Sequence, residues 1–205
     1  MIKYFAGIDV QVSRGCAYYI LDSDKKYVTS GWIKENASAS FKKLFSKLTN
    51  NQNDIIAIGI DAPRMPLNKL RTNYFDREKN SWKEETKQSN GRECEVMIKS
   101  YNIANPQWTR SDEDSPEWMK LGFGIFSALT DFPFVYEVFP SASYKMLEKE
   151  NVQYELCLNE FSGGVKDMLD ASVAAITVYE FIHGRGCEVG GNDKLGTIVL
   201  PRKIR

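Results

Sequence analysis

Five acidic residues stand where a carboxylate is unusual unless it has a chemical role. Asp9 follows the apolar run YFAGI, Asp61 follows IIAIGI, and Glu137 lies inside the apolar run FVYEVF. Asp167 and Asp170 lie three apart near the start of an apolar helical segment, so they are neighbours on one helix face. An ionised carboxylate among buried residues is unfavourable unless a cation or hydrogen-bond donors accompany it. We therefore predict that these acids converge around a cation.

Carboxylate oxygens are the ligands that Mg²⁺ and Mn²⁺ prefer. A divalent ion held by several acids activates water and stabilises the leaving oxygen when a phosphodiester is cut. We predict that Asp9, Asp61, Glu137, Asp167 and Asp170 bind Mg²⁺ or Mn²⁺. All but Asp167 are also predicted to be catalytic.

Structural roles are the alternative for these residues. Asp61 precedes Ala62-Pro63 and is also consistent with a turn cap, and Asp167 with a charge that the helix dipole favours. Asp9 and Glu137 are also consistent with hydrogen-bonded core acids. The aromatic residues, Trp32 among them, are expected in the core rather than as a base-stacking platform.

The composition narrows the classes of function. The 205 residues carry 27 basic and 27 acidic side chains, so the molecule has no overall basic field that would coat nucleic acid. A single histidine leaves little for histidine-based catalysis. The four cysteines are far apart in the sequence, which predicts a reducing, cytoplasmic location. No apolar stretch is long enough to cross a membrane, and no signal peptide is evident.

The apolar pattern predicts the elements that position the acids. Three strands come first, then a helix with apolar residues at helical spacing, then a strand apolar throughout, as in a strand covered on both faces. A fifth strand and a long final helix follow. The predicted strands are 4–10, 15–21, 27–34, 55–60 and 134–139, and the predicted helices include 38–48 and 166–183.

The order of these elements predicts an α/β fold of the RNase H-like type. We expect a mixed five-stranded sheet with flanking helices, formed by one domain over residues 1–205. Residues 64–133 are predicted to be a helical and irregular insertion after the fourth strand, because the chain there becomes polar. Its helical pieces are expected near Glu93 to Lys99 and from Pro116 to Leu129.

The sequence resembles the family labelled domain of unknown function 429, which is described as predicted RNase H-like nucleases. Six pieces in the family's order carry the resemblance over nearly the whole chain: AGID at 6–9, IGIDAPRMP at 58–66, GRECE at 91–95, YEVFPSASY at 136–144, KDMLDASVAA at 166–175 and GTIVLP at 196–201.

The resemblance implies an RNase H-like fold, with Asp9, Asp61, Glu137 and Asp170 where that superfamily holds its metal. The pairing of Asp170 with Asp167 is similar to the paired helix acids of Holliday-junction resolvases. In the family's Arg-x-Cys-Asp piece this chain has Glu at the last position. Arg92 is expected either to contact a substrate phosphate or to form a surface salt bridge.

We therefore predict a metal-dependent nuclease acting on DNA or RNA, with Arg64 and Arg92 as substrate-binding residues. One alternative is a phosphotransferase of the sugar-kinase and actin type, although the turn from Val10 to Gly15 is bulky for a phosphate loop. Another is a non-catalytic nucleic-acid-binding module on the same fold.

Overall fold

The computed structural model describes residues 2–49, 54–148 and 164–204. The strands in these residues are β1 (Ile2–Asp9), β2 (Cys16–Asp22), β3 (Tyr27–Ile33), β4 (Ile55–Asp61), β5 (Arg71–Asp76), β6 (Ser81–Ser89), β7 (Phe134–Val138), β8 (Cys187–Gly190) and β9 (Thr197–Leu200). The helices are α1 (Ala37–Leu48), α2 (Glu93–Ser100), α3 (Glu117–Ala128), α4 (Pro140–Glu148) and α5 (Val165–Ile182).

A mixed sheet of seven strands, in the order β3-β2-β1-β4-β7-β9-β8, forms the centre of the molecule. Strands β1, β4, β7 and β9 pair in parallel, whereas β1 with β2, β2 with β3 and β8 with β9 pair antiparallel. The α/β class and the mixed sheet are therefore as predicted. The sheet is wider than the expected five strands because β8 and β9, of four residues each, extend its far edge.

Helices cover both faces of this sheet. On one face α5 packs over β1 and β4, where Met168, Ala171, Ala174 and Val178 are buried in one apolar cluster. On the other face α1 and α3 enclose a second cluster that includes the buried side chain of Phe41. Because both faces are covered, the central strands β1 and β4 are apolar along most of their length.

The segment 64–133 is more ordered than a helical and irregular insertion. It contains a two-stranded antiparallel hairpin, β5-β6, which the sequence analysis did not predict. The two expected helices are present as α2 and α3. Helix α2 is also a core element, because Cys94 and Ile98 are buried against Val189 and Ile198 of the last two strands.

The cysteines and the apolar character of the helices are two further features of the described residues. Cys16, Cys94 and Cys187 are free thiols, and Cys157 lies outside the described residues. Within the described part of the chain, no helix combines the length and the apolar character that a membrane crossing needs.

Candidate metal centre

Three of the predicted acids meet at the carboxyl ends of the two central strands. Asp9 ends β1, Asp61 ends β4, and the two residues are register partners in the parallel pair. Asp170 reaches them from α5. One carboxylate oxygen from each of the three lies within 4.8 Å of the others, a spacing that one ion can bridge. We call Asp9, Asp61 and Asp170 the acid triad.

Two glycines allow α5 to bring Asp170 this close. A Cβ atom at Gly7 would lie 1.9 Å from the backbone oxygen of Ala171, and one at Gly59 would lie 2.8 Å from that of Ala174. Both glycines point to the α5 face, as do Asp9 and Asp61 two residues further along each strand. In each of the two GID motifs, at 7–9 and 59–61, the glycine therefore allows the close approach of α5. The aspartate of each motif then lies close to Asp170 on that helix.

The triad is short of hydrogen-bond partners. In the described residues, Oδ2 of Asp9 and Oδ1 of Asp170 are buried and have no partner. Burial, and then the charges of Asp170 and Asp167, raise the pKa of Asp9 to about 7. Burial, and then the charges of Asp9 and Asp170, raise the pKa of Asp61 well above its usual value. Buried acids that repel one another in this way are in the environment that a divalent cation relieves.

Three other polar side chains surround the triad, and the sequence analysis did not identify them. The Lys166 ammonium pairs with Oδ2 of Asp170 one helical turn away. The Gln11 side chain hydrogen-bonds to Asp9. The hydroxyl of Tyr144 on α4 hydrogen-bonds to Asp170, and burial raises the pKa of the Tyr144 hydroxyl. Lys166 could have been found from its i,i+4 spacing to Asp170, whereas nothing in the sequence places Tyr144 beside it.

Glu137 is predicted to share the ion, but it does not contribute to the triad. Its register partner in β4 is Ile60, not Asp61. Neighbouring residues of a strand point to opposite faces, so Glu137 points away from the face that carries the triad. There it accepts hydrogen bonds from the Arg92 guanidinium at 2.8 Å and from the backbone N–H of Arg64 at 2.9 Å.

Asp167, also predicted to be a metal ligand, lies outside the triad and has an arginine partner. The Arg14 guanidinium donates to both of its carboxylate oxygens, from Nε at 2.7 Å and from Nη2 at 2.8 Å. Asp167 is buried, and Arg14 lies on the loop between β1 and β2. This bidentate pair fixes the loop to the first turn of α5, next to the triad.

The two predicted substrate-binding arginines are engaged inside the protein. Arg92 is 1% exposed and bonds Glu95 at 2.8 Å and Glu137, so the expected surface salt bridge is a buried one. The Arg64 guanidinium donates to the carbonyl of Val135 and lies 4.7 Å from the ring centre of Phe126. Both arginines therefore stabilise the fold next to the candidate centre.

The triad opens into a cleft of about 430 Å³ at the carboxyl ends of the strands. Its lining includes Gln11, Gln107, Trp118 and Lys166, and also Arg92 and Glu137 of the buried ion pair. A cleft of this volume accommodates a small ligand or one unit of a polymer. Comparison of the chain with models of known protein families, with curated proteins and with solved structures returned no match.

Proposed function

We propose that this chain is a divalent-metal-dependent nuclease that hydrolyses phosphodiester bonds of DNA or RNA at the acid triad. The observation that carries the proposal is the convergence of three carboxylates within 4.8 Å, two of them with a buried, unpartnered oxygen. A structural acid would have used those oxygens in hydrogen bonds, as Glu137 and Asp167 do.

The donor set of the triad fits Mg²⁺ or Mn²⁺. Asp9, Asp61 and Asp170 offer only oxygen ligands, and the triad includes no histidine or cysteine, which zinc and copper favour. The geometry leaves the cleft side open for water and substrate. A bound ion would supply an activated water and stabilisation of the negative charge that develops during phosphodiester cleavage.

The protein's own groups have distinct tasks in this scheme. Asp9 and Asp61 hold the ion from the rigid strand ends, and Asp170 holds it from α5. Tyr144, hydrogen-bonded to Asp170, orients that carboxylate. Lys166, whose side chain is 78% exposed, is free to turn from Asp170 towards a substrate phosphate in the cleft.

The strand arrangement supports an RNase H-like assignment of the fold. In β3-β2-β1-β4-β7 an antiparallel meander is followed by two strands parallel to the first, with the acids at the ends of β1 and β4. The order of these elements along the chain, three strands, a helix and a further strand, is the one predicted from the sequence. We propose that the chain is a divergent member of the family labelled domain of unknown function 429, on the six motifs it resembles.

The test is cleavage by the purified protein with Mn²⁺ or Mg²⁺, on labelled single-stranded, duplex and branched DNA and RNA. We expect cleavage that EDTA stops and that Asp61→Asn and Asp170→Asn abolish. Asp131→Asn is the matched control, because this carboxylate is 70% exposed and precedes β7, at the amino end of the parallel strands and not at the carboxyl end that carries the triad. Thermal stabilisation by ATP with Mg²⁺, without any cleavage, would favour the phosphotransferase instead.

A further inference from the structure

A second cavity, of about 700 Å³, lies beside the triad on the loop between β1 and β2. Two cationic side chains, Arg14 and Lys34, line it together with the indole of Trp32. No role of these three residues has entered the proposed function. The loop joins the two cavities, since Gln11 lines the cleft of the triad and Val12 and Ser13 line the second cavity.

Arg14 is held in a fixed position in this cavity. Its Nε and Nη2 groups are anchored on the buried carboxylate of Asp167, yet its side chain is 57% exposed. An arginine has five N–H donors in a rigid fork, so this anchoring leaves others to face a ligand. Asp167 lies one helical turn before Asp170, so the anchor also sets the distance between the guanidinium and the triad.

Trp32 supplies an aromatic surface in the same cavity. It lies on β3, the edge strand of the sheet, and is half-buried because one part of it packs against the apolar cluster under α5. Lys34, directly after β3, is exposed. A held guanidinium, an exposed ammonium and an indole in one cavity are the combination with which proteins bind single-stranded nucleic acid.

We infer that this cavity binds the nucleotides of a single strand next to the bond cleaved at the triad. Arg14 and Lys34 contact backbone phosphates, and one base stacks on Trp32. The strand is unpaired here, because a base in a duplex does not expose its face to an indole. This inference rests on the proposed function and names its substrate as single-stranded nucleic acid.

The placement of the other arginines supports this choice of surface. Arg64 and Arg92, which the sequence favours as phosphate ligands, are committed to Val135 and Glu137 inside the protein. Arg14 and Lys34, on the other flank of the triad, have exposed side chains that can reach a ligand. The substrate then approaches across the β1–β2 loop and not over the β5-β6 hairpin.

The test measures binding of a short, labelled single-stranded oligonucleotide by fluorescence anisotropy, in EDTA and at several salt concentrations. Lys34→Ala should weaken binding and lower the slope of log affinity against log salt by about 0.7, the value for one phosphate contact on a single strand. Trp32→Leu should weaken binding roughly five- to 150-fold, the range for one stacked base, and leave the slope unchanged.

Lys87→Ala is the matched control, because it removes the same charge from an exposed position on β6. It should bind as the wild type does. Melting curves of each variant check that it is folded, and Lys34→Ala, at an exposed site, keeps the test decisive if Trp32→Leu is unstable. A duplex of the same sequence should bind more weakly than the single strand.

The inference is overturned if the wild type does not bind the oligonucleotide, if it prefers the duplex, or if Lys87→Ala loses affinity while Lys34→Ala does not. The outcomes also separate it from the proposed function. Metal-dependent cleavage that is insensitive to Lys34→Ala and Trp32→Leu overturns the cavity assignment alone. Binding with the expected salt slopes, but no cleavage with Mn²⁺, supports the cavity assignment and overturns the nuclease.

Discussion

Two groups of acids lie at the same end of the sheet and differ in whether a buried arginine neutralises them. Glu137 and Glu95 share the buried guanidinium of Arg92, and Glu95 also accepts hydrogen bonds from the backbone and hydroxyl of Thr109. Asp9 and Asp61 have no arginine of this kind among the described residues. A buried acid with an arginine partner has its charge compensated within the fold, whereas a cluster of buried acids without one is in an environment that a cation would relieve.

The two groups lie on opposite faces of the sheet because Asp61 comes one residue after the register partner of Glu137. Asp61 and Glu137 both lie near the ends of neighbouring parallel strands, but Glu137 is aligned with Ile60. Their side chains therefore point to opposite faces of the sheet, towards α5 in one case and towards α2 in the other.

The largest effect is expected from Arg92→Met. Removing the guanidinium leaves Glu137 and Glu95 buried without their shared partner, which should lower the free energy of unfolding by about 3–5 kcal/mol. For a chain of this length that corresponds to roughly 6–20 °C in melting temperature. Thermal or urea denaturation followed by circular dichroism measures it.

Arg110→Met is the control for this substitution, because it removes an exposed guanidinium of the same chemistry. It should change the stability by less than about 0.5 kcal/mol. If Arg92→Met had the same melting temperature as Arg110→Met and the wild type, Arg92 would not stabilise the two buried glutamates. The contrast between the two faces of the sheet would then be lost.

The next effect is a pH dependence of the metal-free protein. The pKa of Asp9 is about 7 in the folded state against 3.8 ordinarily, so between these values the folded chain keeps a proton that the unfolded chain has released. Stability should therefore fall as the pH rises through this window, by up to about 4 kcal/mol. Asp61, with its raised pKa, acts in the same direction.

Asp9→Asn should flatten this dependence, because an amide does not titrate, and in EDTA the variant should be at least as stable as the wild type near neutral pH. Asp131→Asn should keep the wild-type slope. Urea unfolding at a series of pH values gives both results. A slope that persists unchanged in Asp9→Asn would mean that Asp9 does not keep its proton in the folded state and that Asp61 or other groups cause the dependence.

Binding of a divalent ion should relieve the repulsion among the three carboxylates of the triad. At about 100 times its dissociation constant, Mn²⁺ should add roughly 2.7 kcal/mol to the wild type, or about 5–10 °C in melting temperature. Asp61→Asn should lose most of this shift. Asp167→Asn should keep it, since Asp167 is bonded to Arg14. Equal loss in both variants would place Asp167 among the ligands after all.

Much of the fold could be predicted from the sequence, because each early element has its own apolar period. All five expected strands are in the sheet, and α1, α3 and α5 begin within one residue of their expected starts. The strands β8 and β9 were missed because four residues give too short a pattern. The β5-β6 hairpin was missed because its strands are polar, as strands outside a core are.

The site was predicted in part for a related reason. A strand that ends in an acid identifies Asp9 and Asp61, and the apolar helix face identifies Asp170. The face on which Glu137 points depends on the register between β4 and β7, and the partners of Arg92 depend on how α2 packs against β9. Neither this register nor this packing can be predicted from the local spacing of residues. In the sequence, a metal-binding acid and an acid of a buried ion pair therefore have the same pattern.

The smallest effect concerns Lys166, a cation that is paired with a member of the triad. Its ammonium pairs with Asp170 and lines the cleft, so in the metal-free protein it neutralises part of the triad's charge. A divalent ion must compete with it for Asp170. Lys166→Met should therefore tighten Mn²⁺ binding by about 1.4- to fivefold, because an ion pair with one exposed partner contributes about 0.2–1 kcal/mol.

Isothermal titration with Mn²⁺ measures this change without any substrate. Lys42→Met is the control: it removes a lysine whose carboxylate partner, Asp131, lies on an exposed surface, and it should leave the affinity unchanged. The sign of the effect is informative. If Lys166 were a structural support of the triad, its loss would weaken Mn²⁺ binding, because Asp170 would no longer be held in place. Tighter binding means that lysine and metal ion compete for one carboxylate, and that Lys166 is released to the cleft when the ion binds.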